Sequence, residues 1–144
     1  MRSTAALIIA AISVSIALFS FVVNLRLNQR AAIRGRKPVL VFVDEPSEEC
    51  WVVRNVGNGP ALNVLVAQRA DGRWFNPVFI PPFGKDGSFA LRWLGRVNVT
   101  GLGATYSDFE DRRYTSTLGG ERSHVYDGAR LPSWDDDEIM LSIP

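Results

Sequence analysis

Between Ala5 and Val23 the chain runs nineteen residues without a charge or a proline, and that run constrains everything that follows it. Its only polar side chains are Ser13, Ser15 and Ser20, whose hydroxyls can bond back to carbonyls one helical turn earlier. At a rise of ~1.5 Å per residue a helix of this length covers roughly 28 Å, close to the ~30 Å hydrocarbon core of a bilayer. Lipid offers the backbone no hydrogen bonds, so a segment of this kind must satisfy its amides internally as a helix. A cleaved signal peptide would be shorter and would end in small residues around a cleavage site. Here Asn24-Leu25-Arg26-Leu27-Asn28 follows, and Ala31-Ala32 lies among arginines. A type IV pilin stem would carry a glutamate near the start of its hydrophobic helix, but the first acid is Asp44. The expectation is an uncleaved single-pass transmembrane helix over about residues 5–23, within a membrane-proximal segment 1–37.

Charge orients this helix. Residues 1–37 hold six basic side chains and no acid, whereas residues 38–144 hold ten basic and fifteen acidic side chains, a net of −5. Five of the six basic residues, Arg26, Arg30, Arg34, Arg36 and Lys37, follow the hydrophobic run, and these are the predicted membrane and lipid contacts. The positive-inside rule then puts the C-terminal side in the cytoplasm, behind the plasma (inner) membrane. An exported, anchored domain with an adhesion or envelope-assembly role is the alternative. Arg26, Arg30 and Arg34 are spaced to line one face if the helix continues past the bilayer, until Gly35 and Pro38 stop it. Ala6/Ala10 and Ala11/Ser15 have the spacing that lets helices pair closely, so a homo-oligomer through the helix is allowed. The acidic remainder excludes a nucleic-acid footprint, which needs positive charge to displace counterions.

From Pro38 onward the periodicity is that of strands. Val39–Val43 is an apolar, β-branched run ended by Asp44-Glu45-Pro46, and Cys50–Val53 is a second. Leu62, Val64 and Val66 alternate with Asn63, Leu65 and Ala67 in a third. Asp71-Gly72 is a hairpin turn signal, after which Trp74, Phe75 and Val78-Phe79-Ile80 return. Further strands are predicted over Ser88–Trp93 and Leu102–Asp108, then a hairpin from Arg113 to Tyr126 about Gly119-Gly120. Seven or eight short strands in about ninety residues predict an antiparallel β-sandwich over 38–130, followed by an acidic and apolar tail over 131–144.

The stretch Trp51-Val52-Val53-Arg54-Asn55-Val56-Gly57-Asn58-Gly59-Pro60-Ala61-Leu62-Asn63-Val64 resembles the corner between the second and third strands of bacterial immunoglobulin-like modules, including the cell-adhesion-related type. The Asp71-Gly72 hairpin, the Pro81-Pro82-Phe83-Gly84 turn and Tyr106-Ser107-Asp108 extend the likeness over roughly 38–126. The acidic, asparagine-rich ending of those modules is missing, as is any Cys…Trp…Cys pattern. What the resemblance implies is an immunoglobulin-like fold and a binding role.

Chemistry-bearing residues are sparse. His124 is the only histidine and alternates with Ser123 and Val125 in a strand, which predicts a solvent-facing residue. Cys50 beside Trp51 reads as a small core residue. Asp108-Phe109-Glu110-Asp111 lacks the glycine and the spacing of a calcium loop and reads as a solvated turn. No catalytic, cofactor or metal site is predicted, and a hydrolase pairing His124 with Asp108 or Asp127 is the remaining enzymatic alternative. Asn98-Val99-Thr100 matches a glycosylation sequon that would matter only outside the cytoplasm. Four tryptophans are more than a core of this size uses, so Trp74 and Trp134 are candidate partner contacts. Phe83, at a turn tip, is another. Ser133 or Asp135 can cap a short helical turn, or the tail can dock on a partner through Trp134, Ile139 and Met140. The reading is a membrane-anchored, non-enzymatic binding or scaffolding module whose partners are the bilayer and an unidentified protein.

Overall fold

The computed structural model describes residues 2–94 and 100–141. The chain divides into two compact units, Met1–Gly35 and Arg36–Pro144.

The first unit is one helix, α1, Arg2–Arg34. Ser13 and Ser15 donate their hydroxyls to the carbonyls of Ile9 and Ala11, both at 2.9 Å, so the polar groups in the apolar run are satisfied within the helix. The stretch Ala6–Ala32 is long and apolar enough to cross a membrane, and none of it is buried. The helix continues through Arg26 and Arg30 and ends at Gly35, whose amide still donates to the Ala31 carbonyl at 2.9 Å.

The second unit is mainly β, with two sheets. One has the order β1-β2-β5, built from Leu40–Glu45, Cys50–Asn55 and Ser88–Leu91. The other has six strands in the order β8-β7-β6-β3-β4-β9. They are β3 Leu62–Ala70, β4 Arg73–Ile80, β6 Gly101–Ser107, β7 Arg113–Gly119, β8 Arg122–Asp127 and β9 Met140–Leu141. Alternation of inward and outward residues underlies several of these strands. In β6, for instance, Leu102, Ala104 and Tyr106 face one way, and Gly101, Gly103, Thr105 and Ser107 the other. One apolar core fills the space between the sheets, with Leu40, Phe42, Val53 and Leu91 from the first and Val64, Val66, Ile80 and Leu102 from the second. Cys50 is buried, and His124 is exposed on β8.

Two polar devices fix this sandwich. The Tyr106 hydroxyl accepts from the Leu40 amide at 3.3 Å and shares a hydrogen bond with Ser116 Oγ at 2.8 Å, tying β1 to β6 and β7 across the core. Burial raises its pKa, although the bonds to Ser116 and Leu40 oppose the rise. The second device is Asn55, fully buried at the end of β2. Its Oδ1 accepts from the amides of Val39 at 3.2 Å and Gly57 at 3.0 Å. Its Nδ2 donates to the carbonyls of Gly59 at 2.7 Å and Gly84 at 3.2 Å. Gly57 and Gly59 are glycines because the 36–39 backbone lies directly against them, and a Cβ at either position would overlap its atoms.

Three expectations are corrected. Phe83 is no exposed tip: it is half-buried, packs on the core, and its backbone bridges Ala61 through bonds of 3.0 and 3.2 Å. The strand expected to reach Trp93 stops at Leu91, and Trp93 turns back onto the core beside Phe89, with ring centroids 6.3 Å apart. The segment after residue 130 is no separate tail, because residues 131–141 fold onto the outer face of the six-stranded sheet and end as β9, parallel to β4. The glycosylation sequon lies mostly outside the described residues.

Candidate functional site

The outer face of the six-stranded sheet, the side away from the core, carries a second packed layer. Gly103 on β6 makes it possible. A Cβ there would sit 2.8 Å from the Trp74 ring and 2.9 Å from Leu131, so both side chains rest directly on the glycine backbone. Arg69 also lies over the Trp74 indole, its guanidinium carbon 5.6 Å from the ring centroid. Trp74 is thereby half-buried within its own domain.

A strap over 129–141 crosses this face. Thr115 Oγ1 on β7 fastens its start, donating to the Gly128 carbonyl at 2.7 Å and accepting from the Arg130 amide at 2.9 Å. Arg130 then lies over the Tyr126 ring at 4.4 Å, and Tyr126 stacks with His124 at 6.0 Å. A single 3-10 turn, Asp136–Glu138, holds the far end: its capping box closes as the Glu138 carboxylate accepts from the Asp135 amide at 3.1 Å. Of the two caps considered, Asp135 is the one used. Met140 and Leu141 pair with Val78 and Phe79. Ile139 is half-buried, while Met140 and Leu141 stay exposed.

Between strap and sheet lies an open groove of about 340 Å³. Leu65 and Phe79 form an apolar floor; Leu131, Pro132, Trp134 and Ile139 form the strap wall. Asn63, Thr105, Ser107 and Ser133 add amide and hydroxyl groups to the lining, and Asp111 and Arg113 add charged ones. Asn63 takes part because a bulge puts it at φ 50°, from where its Nδ2 donates to Ser107 Oγ at 3.0 Å. The volume is at the lower end of the ~300–1,000 Å³ usual for small-molecule pockets.

The turn from β6 to β7 is rigid. Asp108 Oδ1 accepts from the amides of Glu110 at 2.8 Å and Arg112 at 3.0 Å, and Oδ2 accepts from the Tyr114 hydroxyl at 2.9 Å. Burial alone would raise the Asp108 pKa, but these bonds outweigh it and hold the carboxyl below its usual range. Burial and the bond to Asp108 push Tyr114 up to about 12. With its carboxylate used in this way, Asp108 serves the turn and offers nothing to a cation. Among the described residues no three His, Cys, Asp or Glu side chains converge on a common point.

The hydrolase pair is not assembled. His124 and Asp127 are three positions apart on β8, hence on opposite faces and ~10 Å apart along the strand. Asp127 is paired with Lys37 at 2.7 Å, and Asp108 with Tyr114. Lys37 belongs to the β unit, where its ammonium also lies 4.8 Å from the Tyr114 ring centroid. Of the predicted partner contacts, Trp134 and Ile139 come together at the groove and Met140 flanks it, whereas Phe83 and Trp74 are committed to packing. Sequence reasoning missed Leu65, Phe79, Asp111 and Arg113 as groove residues; the outward apolar pair on neighbouring strands was the one signal that pointed there.

The chain matches no known family, no curated protein and no solved structure.

Proposed function

We infer that this is a single-pass membrane protein whose immunoglobulin-like domain works at the cytoplasmic face by binding, not by catalysis. The observation that carries the reading is the bare helix α1. Leu7, Ile9, Phe19 and Phe21 are each more than 60% exposed, and nothing in their own unit covers them. Each large apolar side chain left in water costs about 1.5–3 kcal/mol relative to burial, so only a bilayer or other apolar cover makes such a helix stable. Arg26 and Arg30 continue the helix beyond the uncharged run and suit anionic headgroups, as do the neighbouring basic residues Arg34 and Arg36. Support for the immunoglobulin-like assignment comes from strand order: first, second and fifth strands in one sheet, and seventh, sixth, third and fourth side by side in the other, which an eighth and a ninth strand extend. Support for a binding role comes from the groove, which sets an apolar surface beside amide, hydroxyl and charged groups.

Carbonate extraction of membranes tests the anchor: the chain stays in the pellet, and its release into the supernatant would end the proposal. Protease treatment of spheroplasts tests the side. The domain resists digestion until the membrane is broken; cleavage from outside would place it in the exported class instead.

A further inference from the structure

We propose that the groove under the strap is a binding site for a free α-amino acid with a large apolar side chain. This deepens the binding-module reading and rests on it. The geometry supplies three kinds of recognition in one cavity. Arg113 presents a guanidinium suited to a carboxylate, and Asp111 a carboxylate suited to an ammonium group. The two flank one cavity on the same turn, yet they form no ion pair with each other or with any other described residue. The backbone that carries both exposed side chains is fastened: Asp108 and Tyr114 tie the turn, Asp111 sits at φ 58° within it, and Arg113 is the first residue of β7. The rest of the lining is largely apolar and aromatic, with Leu65 and Phe79 in the floor and Trp134 and Ile139 in the strap wall. A ligand with only an anionic head would meet the Asp111 carboxylate unfavourably, and one with only a cationic head would meet Arg113. A zwitterion satisfies both, and its side chain then points along the apolar wall. The volume suits one amino acid and leaves no room for a folded peptide.

The test uses the full chain in lipid nanodiscs, with empty nanodiscs as the control. The probe is 4-fluoro-L-phenylalanine, followed by the width of its ¹⁹F resonance. The chain broadens the resonance at millimolar probe, and L-phenylalanine or L-leucine sharpens it again. Phenethylamine, which lacks the carboxylate, and 3-phenylpropanoate, which lacks the ammonium, compete at least threefold more weakly, as does L-alanine. Arg113→Gln and Asp111→Asn each weaken binding about three- to fivefold, the worth of a solvent-exposed charge contact. Their thermal unfolding, followed by tryptophan emission, matches that of the parent. Absence of broadening beyond the empty discs overturns the proposal. So does competition by phenethylamine and 3-phenylpropanoate as strong as that by L-phenylalanine, because an apolar cleft alone would then explain the binding. The analogue series needs no variant, so a misfolded substitution leaves the question decidable. Extraction and protease results for the anchor stand whatever the outcome here.

Discussion

Replacing Asn55 by aspartate exchanges one amide group for a carboxyl oxygen of nearly the same size, yet it should be among the most damaging conservative changes in this domain. Asn55 is fully buried and uses both ends of its amide: two backbone N–H groups, of Val39 and Gly57, enter its oxygen, and two carbonyls, of Gly59 and Gly84, receive its NH₂. In Asn55→Asp the two accepting bonds survive and the two donated ones are lost, leaving two carbonyls facing an oxygen. Two lost bonds cost about 2 kcal/mol, and the desolvated, repelled charge adds to that, giving about 3–5 kcal/mol at neutral pH. Domains of this size have roughly 5–15 kcal/mol in hand, so the variant should be folded but weak. The pH dependence separates this account from simple loss of packing. Burial and the facing carbonyls raise the folded-state pKa of the new carboxyl above its unfolded value of about 3.9. The folded variant therefore binds more protons than the unfolded chain, and its stability falls as pH rises through this window. Urea unfolding in detergent micelles is the assay, read by tryptophan emission, since all four tryptophans lie in the β domain. The deficit relative to the parent should be smaller at pH 3.5 and grow toward pH 7. A deficit below about 1 kcal/mol at neutral pH, or one that does not change with pH, would refute the reasoning.

Three further outcomes follow from the same geometry. Gly103→Ala pushes Trp74 and Leu131 off the sheet, costs about 1–3 kcal/mol and shifts tryptophan emission to the red; unchanged emission would mean that the layer does not depend on that contact. Tyr106→Phe strands the Leu40 amide and the Ser116 hydroxyl in the core and lowers stability by about 1–3 kcal/mol, checked by the same denaturation measurement. Tyr114, pushed up to about 12, keeps its neutral form favoured in the fold, so the stability it lends is fully present below pH 10 and is lost as pH rises from 10 toward 12. Phenolate absorbance should show this late ionisation in the parent and lose it in Tyr114→Phe.

Strands such as β1, β3 and β6 were legible because their apolar side repeats every second residue. Val64 and Val66, or Leu102, Ala104 and Tyr106, announce their face without help from the rest of the chain. The bulge at Asn63 was not legible, since its cause is the register β3 must keep with β6. The strap was missed for a related reason. Pro132-Ser133-Trp134-Asp135-Asp136-Asp137 has no periodicity, and its place is set by contacts with Thr115 and Gly103, remote in sequence. Tryptophan count misled in an instructive way: a surplus over one core implied exposed anchors, whereas the sheet supports a second layer on its back. Nothing in the sequence marked Gly103 in β6 as the residue on which that layer rests. On sequence grounds Asp111 belonged to a solvated turn and Arg113 to the start of a hairpin strand, and nothing in their spacing pointed to the cavity they border.

The finish of the six-stranded sheet has a consequence for crowding. Its β4 border is interrupted at Asn76, which bulges at φ 56°, and at Pro77, which has no N–H, and is then capped at Val78 and Phe79 by two residues of the chain's own end. The opposite border, β8, bears Arg122, His124 and Asp127. A protein tethered as proposed here diffuses in two dimensions beside its own copies, all facing the same way, where a long unguarded strand would recruit its neighbours into fibrils. Kinked on one flank and charged on the other, the domain can be densely displayed on a surface and still remain a collection of separate molecules.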